Sequence, residues 1–341
     1  MTRRILKWLG LVVLALVAVA LALTLWPAST FGLESSPHTI GSYREAMAEI
    51  ARTRADERRA GVIRACLTRV LTHGARTERS IALVHGLTNC PQQWQLFGKQ
   101  LHARGWNVLI LRLPEHGLGN PETGKIGSVS HLKELDAKKL ARYGDRSVDL
   151  ARALGERTDV MGLSLGGTVA AWMAQERDDV DRAVVIAPRV GLPSVPYAVT
   201  WGVTNFSTHI PDLSIGHSDK LAHEYQGWST GGIADTFVLG KYLRKRASKQ
   251  EPATGSITVL LNPNDDTISN PRAEELVDAW RDHGRRVRLV WLSRTPVLEH
   301  DIIDPGQGRR SYTRGSCGCS TLAPSRAWDA ASSSPQPRSC S

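Results

Sequence analysis

Gly162-Leu163-Ser164-Leu165-Gly166, with Gly167 directly behind, is the stretch from which the fold can be read. A Gly-x-Ser-x-Gly pattern arises by chance roughly 0.1 times in a chain of this length, so its flanks must carry the reading. Thr158-Asp159-Val160-Met161 reads as a short strand entering the motif, and Thr168 to Ala174 as a helix leaving it, with Val169, Trp172 and Met173 on one face. A strand that turns abruptly into a helix around a serine holds that residue in a strained conformation, and flanking glycines keep side chains from colliding across the turn. The Ser164 hydroxyl then stands at the strand's carboxyl end, over a helix amino terminus whose free N–H groups favour developing negative charge.

Outward from this turn, the same kind of strand recurs. Ser80-Ile81-Ala82-Leu83-Val84, Asn107-Val108-Leu109-Ile110-Leu111, Ala183-Val184-Val185-Ile186, Ile257-Thr258-Val259-Leu260-Leu261 and Val287-Arg288-Leu289-Val290-Trp291 are short runs separated by helical stretches, most of them apolar throughout. Such strands predict an α/β fold, a mostly parallel sheet covered by helices on both faces, with its chemistry at the strands' carboxyl ends. A helix is predicted over Trp94 to Arg104, stopped by Gly105. Residues 188–251, with Pro193, Pro196, Trp201, Phe206, Trp228 and Phe237, are too long for a simple crossover and read as an inserted cap.

The amino terminus is of another kind. Arg3, Arg4 and Lys7 precede an uncharged, mainly apolar run from Trp8 to Trp26, closed by Pro27. It is long enough to span a bilayer with the basic residues on the cytoplasmic side, which places the body outside. The alternative is a signal peptide cleaved near Ala20-Leu21-Ala22; the apolar run continues past that site, which favours an uncleaved anchor. The domain reading is therefore 1–27 anchor or signal, 28–61 polar linker and amphipathic helix (Tyr43 to Arg59), 62–308 globular body, and 309–341 a tail rich in Ser, Arg, Ala and Pro. That tail lacks apolar periodicity and is expected to be disordered.

The formal charge is +10, but the leading segment carries +3 and residues 309–341 carry +4, leaving +3 for the rest. No Lys/Arg stripe with interleaved aromatics occurs there, which argues against nucleic-acid binding. The five cysteines, Cys66, Cys90, Cys317, Cys319 and Cys340, have no framework spacing; whether Cys66 pairs with Cys90 stays open. No His-Glu-x-x-His or comparable metal spacing is present, and no cofactor motif.

A serine nucleophile needs a base and an orienting acid. Two strand ends downstream carry them: Asn262-Pro263-Asn264-Asp265-Asp266-Thr267-Ile268 and Leu298-Glu299-His300-Asp301. With His85-Gly86-Leu87-Thr88, Pro114-Glu115-His116-Gly117 and the 162–166 turn, they stand in an order that resembles the α/β-hydrolase superfamily, its carboxylesterase and lipase-like serine hydrolases in particular. The resemblance covers about residues 65–305. It implies a Ser164, Asp265, His300 triad, with Asp265 favoured over Asp266 because Ile268 follows it at the family spacing. It also implies an oxyanion hole from the backbone N–H groups of Leu87 and Leu165. His85 and His116 match structural loop histidines, and Glu299 and Asp301 read as solvated neighbours. Two departures stand out: Glu115 replaces a usual Gly, and residues 309–341 replace a final sheet-covering helix. The implied activity is cofactor-free hydrolysis of a small ester with an apolar acyl group. The alternatives are a thioesterase, peptidase or other triad hydrolase, or a silent, membrane-tethered binding module.

Overall fold

The computed structural model describes residues 2–216, 221–295, 297–304 and 306; the tail expectation for 309–341 lies outside them. Two helices, α1 (Thr2–Leu25) and α2 (Tyr43–Arg59), precede the sheet. The body opens with β1 (Arg69–Leu71), β2 (Thr77–Val84), α3 (Gln95–His102) and β3 (Asn107–Ile110). A hairpin follows, β4 (Gly119–Asn120) and β5 (Lys125–Ile126), then α4 (Ala137–Leu154), β6 (Gly155–Leu163), α5 (Leu165–Glu176) and β7 (Arg182–Ile186). Next come α6 (Tyr197–Ser207), a second hairpin of β8 (Ser214–Gly216) and β9 (Gly227–Ser229), and α7 (Thr230–Ala247). The last described elements are β10 (Ser256–Leu261), α8 (Asn270–Asp282) and β11 (Val287–Trp291).

Seven strands form one sheet in the order β1-β3-β2-β6-β7-β10-β11, parallel throughout except for β1, which pairs antiparallel with β3. Successive strand residues feed two different cores: Ala82 and Val84 of β2 point to one, Ile81 and Leu83 to the other. In β7, Ala183 and Val185 divide from Val184 and Ile186 in the same way. A strand buried on both faces has no polar side, and this is why these segments are continuously apolar. The first core is closed by α4, α5, α7 and α8, through Leu140, Val169, Leu243 and Leu276. The second is closed by Trp94, Phe97 and Leu101 beside α3, with Ile303. Trp280, Trp172 and Trp94, fully buried, each remove on the order of 200 Å² from water.

Two sequence expectations change. Residues Thr230–Ala247 were expected in the cap, yet α7 buries Phe237, Val238, Leu239, Tyr242 and Leu243 and packs on α4, α5 and α8, so it belongs to the sheet's own cover. The rest of the expected cap includes α6 and the β8–β9 hairpin. The stretch read as a polar linker is pinned to the body: Leu33 is fully buried, Trp172 Nε1 donates to Leu33 O at 2.7 Å, and the Ser36 and His38 amides donate to Asp145 and Asp149 at 2.8 and 2.9 Å. Those two aspartates also hold the buried Arg177 guanidinium, at 2.9 and 2.6 Å. Helix α2 docks on the body as well: the buried Glu57 accepts from Thr68 N and Oγ1, both at 2.7 Å, and from Arg112 Nε at 3.1 Å.

Arg4–Leu25 of α1 has a mean hydropathy of 2.7 and side chains exposed to the surroundings, and it is long and apolar enough to cross a membrane; a signal sequence has the same properties. Its last turn meets the cap: Asn205 of α6 donates to Thr24 O and accepts from Ala28 N, each at 3.0 Å.

Candidate active site

The turn between β6 and α5 takes the strained form. Ser164 has φ 60° and ψ −117°, a left-handed backbone that costs a non-glycine residue on the order of 1 kcal/mol or more. The surrounding backbone is packed too closely for side chains: a Cβ on Gly162 would lie 2.0 Å from Gly166 O, and one on Gly166 2.1 Å from Val84 O. Ser164 N donates to Ile186 O at 3.0 Å, so the neighbouring strand locks the turn. The helix begins with Thr168 N donating to Ser164 O at 2.9 Å, which leaves the Leu165 amide in the unpaired first turn of α5.

The loop after β2 closes over this serine. A Cβ on Gly86 would sit 3.8 Å from Ser164 Cβ. Gly86 N is taken by Gln93 Oε1 at 2.9 Å, whereas the next amide, Leu87 N–H, has no partner among the described residues. Leu87 O lies 2.8 Å from His116 Nε2, while His85 Nε2 accepts from Leu113 N at 3.1 Å. Burial drives His85 well below the ordinary histidine range and His116 down to about 4, so both stay neutral and brace the loop. Glu115, in the place of the usual Gly, keeps the left-handed backbone at φ 63°, and its carboxylate accepts from Lys139 Nζ at 2.7 Å. Cys66 and Cys90 are joined as a disulfide, Cα–Cα 5.1 Å, which ties this loop to the segment before β1.

At the far strand ends, His300 Nδ1 donates to Asp265 Oδ2 at 2.6 Å, and Asp265 Oδ1 accepts from Thr267 N at 2.9 Å. The Asp265 carboxylate is sealed from solvent, whereas Asp266 is exposed. A hydrogen on Nδ1 leaves the His300 Nε2 lone pair free, and among the described residues that buried atom has no hydrogen-bond partner. Ser164, His300, Leu87 and Arg189 line one cavity of about 370 Å³, together with Trp228 and Leu298. Catalytic hydrogen bonds are commonly loose before substrate arrives.

Several residues that hold this arrangement carry no motif. Asn262 Nδ2 donates to Leu298 O and Glu299 O, at 2.9 and 3.2 Å, and so fixes the approach to His300. Gln93 bridges the two loops, because its Nε2 donates to Asp301 Oδ2 at 2.6 Å while its Oε1 holds Gly86. Asp301, expected to be solvated, is instead an anchor: Oδ1 accepts from Ile303 N and Asp304 N, both at 3.0 Å. Glu299 is exposed, as expected. Glu224, Asp301 and Asp304 gather carboxylate oxygens within 4.8 Å, but Asn89 donates to the first two and His223 Nε2 lies 2.7 Å from the third, so protein groups already pair them.

Among solved structures the chain resembles one of the two metagenome-derived lipolytic enzymes LipS and LipT (TM-score 0.55, 14% identity, 74% of this chain and 98% of that one). It also resembles the Paleococcus ferrophilus monoacylglycerol lipase (TM-score 0.54, 15% identity, 72% and 94%). A soluble variant of Saccharomyces cerevisiae monoglyceride lipase aligns at TM-score 0.50 and 13% identity over 72% and 88%. No curated protein sequence matches. The model of the alpha/beta hydrolase family matches residues 81–337, most of the chain, and the protein belongs to that family.

Proposed function

We propose that the protein is a serine hydrolase that cleaves carboxylic esters through an acyl-enzyme. One observation carries the reading: the 2.6 Å hydrogen bond from His300 Nδ1 to the sealed Asp265 carboxylate, beside a cavity shared with the strained Ser164. His300 Nε2 accepts the Ser164 proton as Oγ attacks the carbonyl carbon, and Asp265 stabilises the resulting imidazolium. The Leu87 and Leu165 amides receive the oxyanion; losing one such donor typically costs about 3–4 kcal/mol. The alcohol leaves with the proton from His300, and water, activated by the same imidazole, releases the acid and restores Ser164. The lipolytic neighbours accord with an ester bond, and Leu87, Leu163, Trp228, Val297 and Leu298 give the cavity walls apolar surface for an acyl chain. A fluorophosphonate probe should label Ser164, and nitrophenyl esters of graded chain length should be turned over faster than matched thioesters and anilides. An unlabelled Ser164 would sink the reading.

Gln93 is a positioning residue in this scheme. Gln93→Leu removes the bridge between the oxyanion loop and the His300 loop, and misplacing catalytic groups by about 1 Å costs on the order of 100-fold. The expected loss is about 10- to 100-fold in kcat with KM within threefold; a loss confined to KM would assign Gln93 to binding instead.

We also propose that α1 anchors the chain with its body on the extracytoplasmic side. Arg3, Arg4 and Lys7 before the apolar run support that orientation, and so does the Cys66–Cys90 disulfide, a bond that persists in oxidising compartments. A carboxyl-terminal alkaline phosphatase fusion should be active; an inactive one, with an active cytoplasmic reporter at the same position, would reverse the topology.

A further inference from the structure

Arg189 is a buried cation without an acceptor among the described residues. It follows β7, its side chain is 7% exposed, and it lines the cavity that holds Ser164 and His300. Its own amide donates to Ser164 O at 3.3 Å, which places the residue directly beside the nucleophile. Its Nε is sealed and unpartnered, and among the described residues no carboxylate or carbonyl accepts from the guanidinium. Among the described residues the group's ring contact is with Phe237, whose centroid lies 5.7 Å from Cζ.

Of the acids nearby, Asp265 favours the cation through its charge, but among the described residues no acid is hydrogen-bonded to it. Both Asp265 oxygens are engaged, by Thr267 N and His300 Nδ1. Glu224 accepts from Asn89 Nδ2 at 3.0 Å and Leu221 N at 3.1 Å, and Asp301 from Gln93, Asn89 and two backbone amides. Asp266 and Glu299, also on the cavity wall, are exposed to solvent. A guanidinium taken out of water with no anion bonded to it is an expensive feature for a fold to keep. Burial lowers its affinity for its proton, to about 10, and it remains a cation at neutral pH. Its planar array of donors matches an oxyanion in two-point fashion.

We propose that Arg189 is the recognition site for an oxyanion carried by the substrate, so that the preferred substrates are anionic esters bearing a carboxylate or phosphate near the scissile bond. This rests on the serine-hydrolase reading above and adds the class of ester. In this cavity the anion would exchange water for the guanidinium, while the remainder of the acyl or alcohol group fills the space lined by Trp228, Val297 and Leu298.

The test compares esters that differ in charge but hardly in shape, using the full-length protein. On the acyl side the pair is the mono-4-nitrophenyl ester of adipic acid and 4-nitrophenyl heptanoate. On the alcohol side it is phenyl acetates with a para carboxylate, phosphate or methyl group. The expected result is a kcat/KM about 10- to 100-fold higher for at least one anionic member than for its neutral counterpart, the span of a charge-assisted hydrogen bond. The pair that shows it identifies the side and the anion. Arg189→Met should collapse that ratio to within threefold of unity, and Arg189→Lys should retain part of it. Neutral esters turned over as fast as anionic ones would overturn the proposal and leave the hydrolase reading intact. Equal losses on charged and neutral esters in Arg189→Met would also overturn it, and would make Arg189 a support for Asp265. Should the Met variant not fold, the wild-type ratios decide, with inhibition by benzoate at least tenfold stronger than by benzamide as the second readout. No turnover of any ester and no fluorophosphonate labelling would remove both readings together.

Discussion

Replacing Ser164 with alanine should lower kcat for ester hydrolysis by on the order of 10⁵–10⁶, the scale lost when a serine nucleophile is removed. The melting temperature should stay within about 2 °C. The second half of that expectation comes from the backbone. Ser164 sits at φ 60°, and alanine carries the same Cβ into the same strained turn, so the strain is unchanged. The hydroxyl makes no hydrogen bond among the described residues that alanine would forfeit. Ser164→Gly offers the contrast: it too is inactive, but it relieves the left-handed strain and should raise stability by about 1 kcal/mol. A kcat within tenfold of the parent in either variant, with unchanged circular dichroism, would remove Ser164 from the chemistry.

What the sequence made legible was whatever physics writes locally. Strands buried on both faces must be apolar throughout, so β2, β3, β7 and β10 announced themselves, and the glycines at 162, 166 and 167 marked a turn in which the backbone leaves no room for Cβ atoms. The antiparallel β1, three residues at the sheet's edge with Arg69 at its start, lacked that signal; it is held by the Glu57 and Thr68 contacts and by pairing with β3. Helix α7 was taken for cap because it lies in a segment too long for a simple crossover, with prolines and aromatics mixed with Gly and His, yet its Val238, Leu239, Tyr242 and Leu243 join the main core. Leu33 looked like one apolar residue in a linker until Trp172 was seen to bond its carbonyl. The supporting residues of the site were the least legible. Gln93 and Asn262 act by bridging loops brought together only by the fold, and Arg189 carries no motif, its buried and unpartnered Nε being visible only in the folded chain.

The choice between two adjacent carboxylates gives the other large effect. Asp265→Asn should lower kcat by on the order of 10⁴, the loss seen when the orienting acid of a triad is made an amide. Asp266→Asn should change it by less than threefold. The reason is geometric and electrostatic together. Asp265 is sealed from solvent and receives His300 Nδ1–H, so its charge acts on the imidazole through a site that water does not screen. Asparagine there can present its N–H₂ to Nδ1, which then keeps its lone pair and puts the proton on Nε2, the tautomer that cannot accept from Ser164. Asp266 is exposed, accepts from Thr267 Oγ1 at 3.5 Å, and makes no hydrogen bond or ion pair with His300. Nuclear magnetic resonance of the His300 ring in both variants would read the tautomer directly, with Nδ1–H lost only in Asp265→Asn. If Asp266→Asn proved the more damaging, the acid loop would have to shift by one residue when substrate binds, and the hydrogen bond that carries the functional reading would belong to a resting state.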